Sequence, residues 1–145
     1  GFLTQSGVRG ASAWVDHTVE PRGVIDTFTP GLYAMTERER SGDGRDELEG
    51  WTSLQVGGVH WIDVWGELSE HGEQETHLRG CELGAAYWGE VGPALQWGPT
   101  VEVSREIDWA RLVPARADWL SLEAVLRPTA GLRVDGSVAL DRFRP

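Results

Sequence analysis

Apolar and polar residues alternate with a period of two through most of the chain, and almost no window repeats apolar residues at helical spacing. Successive side chains of a strand point to opposite sides, so this pattern predicts an all-β chain whose strands carry one greasy and one polar face. In the first strand Ala11, Ala13, Val15 and Val19 share a face, with Ser12, Asp16 and Thr18 opposite and Trp14 among them. Pro21-Arg22-Gly23 turns the chain, and Phe28, Pro30, Leu32 and Ala34 then alternate with Thr29, Gly31, Tyr33 and Glu37 until Ser41-Gly42-Asp43-Gly44. Leu48, Gly50, Leu54 and Val56 oppose Glu47, Glu49, Trp51, Ser53 and Gln55 in the third strand, which Gly57-Gly58 ends as a two-residue hairpin signal.

The fourth strand sets His60, Ile62, Val64 and Leu68 against Trp61, Asp63, Trp65 and Glu67, before the polar stretch from His71 to Gln74. The fifth, over 76–88, carries Cys81, Leu83, Ala85 and Tyr87 opposite Gly80, Glu82, Gly84 and Ala86, and 89–92 turns it. Leu95, Trp97, Val101 and Val103 mark a sixth strand, in which Pro93 and Pro99 predict an edge, a bulge or a break. Residues 105–118 read as a long loop with a short helical turn around 107–112. Two sharply alternating strands follow. Leu120, Leu122, Ala124 and Leu126 face away from Ser121, Glu123 and Arg127; after the turn at 128–131, Leu132, Val134, Val138 and Leu140 face away from Arg133, Asp135, Ser137 and Asp141.

The turns at 21–23, 57–58, 89–92 and 128–131 are short in this reading, and those at 41–46, 71–75 and 104–118 are longer. Transmembrane barrels show such an asymmetry, with tight periplasmic turns and longer outer loops. With the short turns periplasmic, both chain ends fall at the outer rim. The expectation is therefore that 1–145 is a single barrel segment, a fragment of a larger barrel.

Composition narrows the partners. Lysine is absent, and 23 acidic residues against 13 arginines give a net charge of -10, which argues against nucleic acid, whose phosphates need a cationic surface. The single Cys81 cannot close an internal disulfide, and no CxxC pair or Cys/His cluster signals structural zinc. Apolar runs fall short of the ~18 residues of a transmembrane helix, whereas a barrel strand needs only about 9 to 11 residues of alternating pattern. No GxSxG, Walker, GxGxxG or HExxH motif occurs, so neither enzyme activity nor a cofactor is expected.

Several segments resemble a family of large bacterial proteins in which a family 9 carbohydrate-binding-like domain precedes an outer-membrane barrel of unknown function. They are Gly1-Phe2-Leu3-Thr4-Gln5-Ser6-Gly7-Val8-Arg9, Phe28-Thr29-Pro30-Gly31-Leu32-Tyr33, and Leu120-Ser121-Leu122-Glu123-Ala124-Val125-Leu126-Arg127-Pro128-Thr129 leading into Leu132-Arg133-Val134. The resemblance implies barrel strands in a bacterial outer membrane, with the carbohydrate-binding-like domain and further strands outside this chain. It brings no catalytic residues.

Two constellations carry candidate chemistry. His71, Glu73, Glu75 and His77 put two imidazoles and two carboxylates within a short span, but a His pair six apart matches no ligand signature, so a solvated polar loop is expected and His71 and His77 are weak metal candidates. Trp61, Asp63 and Trp65 share one strand face, as do Glu47, Glu49 and Trp51; acids interleaved with indoles can line a groove where rings stack on sugars and carboxylates accept hydroxyl hydrogen bonds. Against this stands a polar lumen with an interfacial aromatic girdle, since tryptophan is enriched where membrane meets water. Glycines inside strands, at Gly50, Gly66, Gly80, Gly84 and Gly136, would relieve crowding or let aromatic rings lie across the backbone.

The leading expectation is an outer-membrane β-barrel segment with a structural or transport role and the lipid bilayer as partner: Leu122, Leu126, Val134 and Val138 toward lipid, Glu123, Arg127, Arg133 and Asp135 toward a polar lumen. The same alternation allows a soluble eight-stranded barrel that holds a small apolar ligand, or a surface that binds or acts on carbohydrate. Which face is shielded decides among them.

Overall fold

The structure, a computed structural model, describes residues 9–39, 43–73, 76–108, 111 and 113–144. Eight antiparallel strands follow one another: β1 (Arg9–Asp16), β2 (Ile25–Arg38), β3 (Gly44–Val56), β4 (His60–Glu73), β5 (Thr76–Val91), β6 (Leu95–Asp108), β7 (Val113–Thr129) and β8 (Leu132–Arg144). They lie side by side in chain order, so the sheet is an up-and-down meander with β1 and β8 at its edges. The all-β, eight-strand expectation holds. Among the described residues the two edges do not meet, and the sheet is open.

Several strands outrun their sequence signals. β4 continues through His71, which pairs with Arg45 on one side and Leu78 on the other, so 71–73 is strand where a loop was expected, and 74–75 lie outside the described residues. β6 reaches Asp108 and β7 begins at Val113; Arg105 pairs with Arg116 and Ile107 with Pro114, where a long loop with a helical turn was expected. The reason is physical: a polar stretch stays extended when strands on both sides satisfy its backbone, whatever its own hydropathy. With these corrections the alternation of short and long connections disappears. β4 ends at Glu73 and β5 begins at Thr76, a separation in sequence as short as that between Thr129 and Leu132, and 17–24 form the longest link.

At the β3–β4 turn Val56 pairs with His60, so the turn spans 57–59 rather than two residues. Gly57 and Gly58 have φ of 59° and 71°, a left-handed conformation that a side chain disfavours. The Gly58 amide donates to Asp26 Oδ2 at 2.6 Å, which ties this turn to the start of β2. Pro99 sits inside β6, a central strand rather than an edge. It pairs with Leu122 of β7, while the ladder to β5 is interrupted between Thr100 and Trp97, as a missing N–H requires.

Cross-strand register gathers the apolar positions onto one side. Leu32 meets Gly50; Leu48 meets Leu68; Val64, Ala85, Val101, Leu120 and Leu140 form one row, and Leu122 meets Val138. This face is exposed: Leu68 retains 61% of its surface, Leu83 59% and Val101 48%, although all three lie on interior strands. The opposite, polar face is the more shielded one. Glu67, Glu82 and Glu102 are half-buried there, Ser104 and Ser121 are buried, and so are Leu78, Ala115 and Val125. No second layer covers either side, and no side chain is completely buried among the described residues.

The apolar band is bounded at both ends. Toward the rim formed by 57–59, 92–94 and 130–131 stand His60, Tyr87 and Trp97, with Tyr87 and Trp97 tilted at a centroid distance of 5.2 Å and His60 Nδ1 2.8 Å from the Tyr87 hydroxyl. Toward the other rim the same face becomes charged: Arg38, Asp46, Glu70, Arg79, Arg105 and Arg116 succeed Leu48, Leu68, Cys81 and Val103.

Candidate functional site: the acidic, tryptophan-bearing face

All six of the predicted ligand-binding residues fall on the shielded face, on adjacent strands. Glu47, Glu49 and Trp51 come from β3, and Trp61, Asp63 and Trp65 from β4; Trp51 pairs with Trp65, Ser53 with Asp63, and Gln55 with Trp61. The hairpin does this. A turn centred on Gly58 makes partners of residues equidistant from it, so each β3 tryptophan or acid gains a fixed neighbour on β4.

The indoles do not stand up as a stacked pair. Trp51 lies across Gly31 of β2, and Trp65 across Gly84 of β5, so that a β-carbon at either glycine would clash with the ring at 2.1 Å. The two rings thus extend in opposite directions, each flat on the sheet with one π-face against backbone. Trp88 covers Gly98 in the same way. Trp65 is pinned further by its Nε1, which donates to Glu82 Oε1 at 2.7 Å. Of the strand glycines singled out in the sequence, Gly84 receives an aromatic ring, whereas Gly50 and Gly66 are approached only by leucine and backbone atoms, and Gly136 by nothing within 4 Å.

Register also assembles a row of acids that was not singled out as a site. Glu49 pairs with Glu67 and Glu67 with Glu82, so three carboxylates sit directly opposite one another on β3, β4 and β5, with Glu102 beyond them on β6. Like charges in such positions repel. The Trp65 donor to Glu82 and the Arg45–Glu47 ion pair supply the compensation that is present. Glu67 was visible as a neighbour of Trp65 in the two-residue alternation. Its alignment with Glu82 was not, because the 71–75 stretch hid where the β4–β5 hairpin turns.

The tryptophans mostly avoid the apolar band. Trp14, Trp51, Trp61, Trp65, Trp88 and Trp119 occupy the acid-bearing face, and Trp97 alone among the described tryptophans stands with the apolar residues. The aromatic cluster at the turn rim of the apolar face is accordingly His60, Tyr87 and Trp97 rather than the bulk of the indoles.

His71 and His77 do not converge. His71 lies on the shielded face beside Arg45, outside the apolar band, and burial followed by the Arg45 charge pushes its imidazole below its ordinary pKa. His77 lies on the other face, with Nδ1 3.3 Å from Glu70. Glu75 is outside the described residues. Among the described residues no group of three or more His, Cys, Asp or Glu side chains could hold a metal ion. Beyond the band on the exposed face, Arg38 Nη2 donates to Asp46 Oδ2 at 2.6 Å, and this bond, with one from Thr36, holds the Asp46 carboxyl below the usual range.

Near the turn rim the shielded face has a hollow of 420 Å³, where Trp88 and Gln96 meet Glu123, Arg133 and Asp135. Arg133 donates to both Asp135 oxygens, at 2.9 and 3.0 Å. The face as a whole can accept hydrogen bonds, attract cations and present flat indole surfaces. No protein-family model, curated protein or solved structure matches the chain.

Proposed function

We propose that the chain forms membrane-spanning strands of an outer-membrane β-barrel, with the apolar face toward lipid and the acidic, tryptophan-bearing face toward a polar lumen. One observation carries this reading: the leucine and valine rows lie on the exposed side of the sheet and the carboxylates on the shielded side. Exposing a Leu or Val costs about 1.5–3 kcal/mol relative to burying it, so an aqueous protein would turn these rows inward. The soluble barrel with an apolar ligand requires that opposite arrangement.

The dimensions fit. From His60 to Glu70, β4 supplies the ~9–11 residues that a tilted strand needs to cross hydrocarbon, between amphipathic rings at one end and charges at the other. Unpaired edge groups are costly in lipid, so β1 and β8 would pair with each other or with further strands, in keeping with the resemblance to barrel regions that follow a carbohydrate-binding-like domain. Passage or anchoring would be the barrel's role.

Refolding from urea tests the reading. Far-ultraviolet β-signal and protease protection are expected in zwitterionic micelles or phosphatidylcholine vesicles and not in buffer alone. A monomer that unfolds cooperatively in detergent-free buffer would sink it.

A second reading of the lumen follows from Trp51, Trp65 and Trp88 lying flat beside carboxylates: contact with sugars passing along the face. Quenching or a blue shift of tryptophan fluorescence on titrating oligosaccharides into the refolded protein checks it, and an unchanged spectrum counts against it.

A further inference from the structure

The acids and arginines of this chain are unevenly placed. With a net charge of -10, the expectation for any patch is negative, and the shielded face obeys it. On the exposed face, where the apolar band ends, the balance reverses. Arg105 of β6 lies directly opposite Arg116 of β7, which lies directly opposite Arg144 of β8, with Arg79 and Arg142 on the same collar. Arg79 is matched by Glu70 at 2.9 Å and Arg116 by Asp118 at 2.7 Å. Arg105, Arg142 and Arg144 have no carboxylate partner among the described residues. Guanidinium groups aligned across three adjacent strands repel one another, an arrangement that an anion between them relieves.

The surroundings define that anion. A hollow of 830 Å³ runs from Leu68, Leu83 and Val103 to Arg105, Arg116 and Arg144. Its floor is continuous with the apolar band and its end is cationic, the complement of an amphiphile with a phosphate headgroup and a hydrocarbon tail. A phosphate suits the planar fork of arginine, because bidentate N–H donors match its paired oxygens. Resting on the membrane reading above, we infer that the Arg105–Arg116–Arg144 row is a headgroup site for a net-anionic phospholipid, which holds a phosphate that no choline offsets while the acyl chain lies along Leu83 and Val103. The row fixes the depth at which the strands sit, as a counterpart to the His60–Tyr87–Trp97 cluster at the other rim.

The test uses the full chain with two kinds of vesicle, pure phosphatidylcholine and phosphatidylcholine with one-fifth phosphatidylglycerol. Protease protection in the neutral vesicles reports on membrane insertion alone. The increment in partitioning with the anionic lipid reports on the arginine row. Each juxtamembrane arginine adds up to ~5-fold to association with an anionic surface, so the wild type is expected to partition at least ~10-fold more strongly into the anionic vesicles despite its negative charge. The triple variant R105Q/R116Q/R144Q should lose that increment yet insert into neutral vesicles as before, since the repulsion it removes offsets the loss of the exposed Arg116–Asp118 pair, itself a small contribution. R127Q, at the opposite rim, should keep it, and R105Q and R144Q singly should each lose part. An increment unchanged in the triple variant, one lost equally in R127Q, or one abolished by millimolar inorganic phosphate at constant ionic strength would overturn the headgroup site while leaving the barrel reading intact. Failure to insert into either vesicle would overturn both.

Discussion

At the scale of single residues, the shielded face is organised by indole rings laid over glycines. Trp65 needs both the bare backbone of Gly84 beneath it and the Glu82 carboxylate beside its Nε1. A Gly84→Val substitution is expected to lift the ring, break the 2.7 Å hydrogen bond and cost about 1–3 kcal/mol, seen as a lower urea midpoint and a changed tryptophan emission in micelles. Gly136→Ala serves as the contrast. Nothing lies within 4 Å of a β-carbon there, so the same measurement should give no loss or a gain of a few tenths of a kcal/mol from a less flexible unfolded chain. Glu67→Gln should raise the midpoint, by the equivalent of about 0.2–1 kcal/mol of stability, because Glu67 faces Glu49 on one side and Glu82 on the other. That glycines make room for rings was legible in the sequence. Which glycine serves which ring was not, since Trp65 and Gly84 belong to different strands and meet only through register.

At the scale of elements, hairpins set that register. The Gly57-Gly58 signal was local and strong, and it correctly brought the Glu47, Glu49 and Trp51 face of β3 beside the Trp61, Asp63 and Trp65 face of β4. Gly58→Val is expected to strain a turn with φ of 71° and to disturb the amide bond to Asp26, at a cost of roughly 1–2 kcal/mol read from the unfolding midpoint, whereas Asp26→Asn, whose amide oxygen can still accept from Gly58, should cost less. Polar stretches misled for the same physical reason that glycine pairs informed. His71 and Arg105 look like loop residues by hydropathy, yet each is held extended by strands on both sides, a condition no local window contains.

At the scale of the whole molecule, the exposed apolar band makes insertion the expected outcome. Leu83→Arg, in the middle of that band, should reduce the fraction inserted into phosphatidylcholine vesicles by a cost of about 2–4 kcal/mol, whereas Glu123→Arg on the shielded face should leave it near the wild-type level; protease protection measures both. Equal effects would mean that the two faces meet similar surroundings. Period-two alternation by itself determined that the chain folds as two-faced antiparallel strands, about eight in number, because a strand exposes successive side chains to opposite sides whatever surrounds it. Only the tertiary structure decided which of those faces is shielded, how far β4 and β6 extend, and that Glu49, Glu67 and Glu82 on one side and Arg105, Arg116 and Arg144 on the other come into line. Alternation is the same for a sheet turned inside out, and alignment across strands depends on hydrogen-bonded partners distant in sequence, so neither could be written in the spacing of residues along one strand.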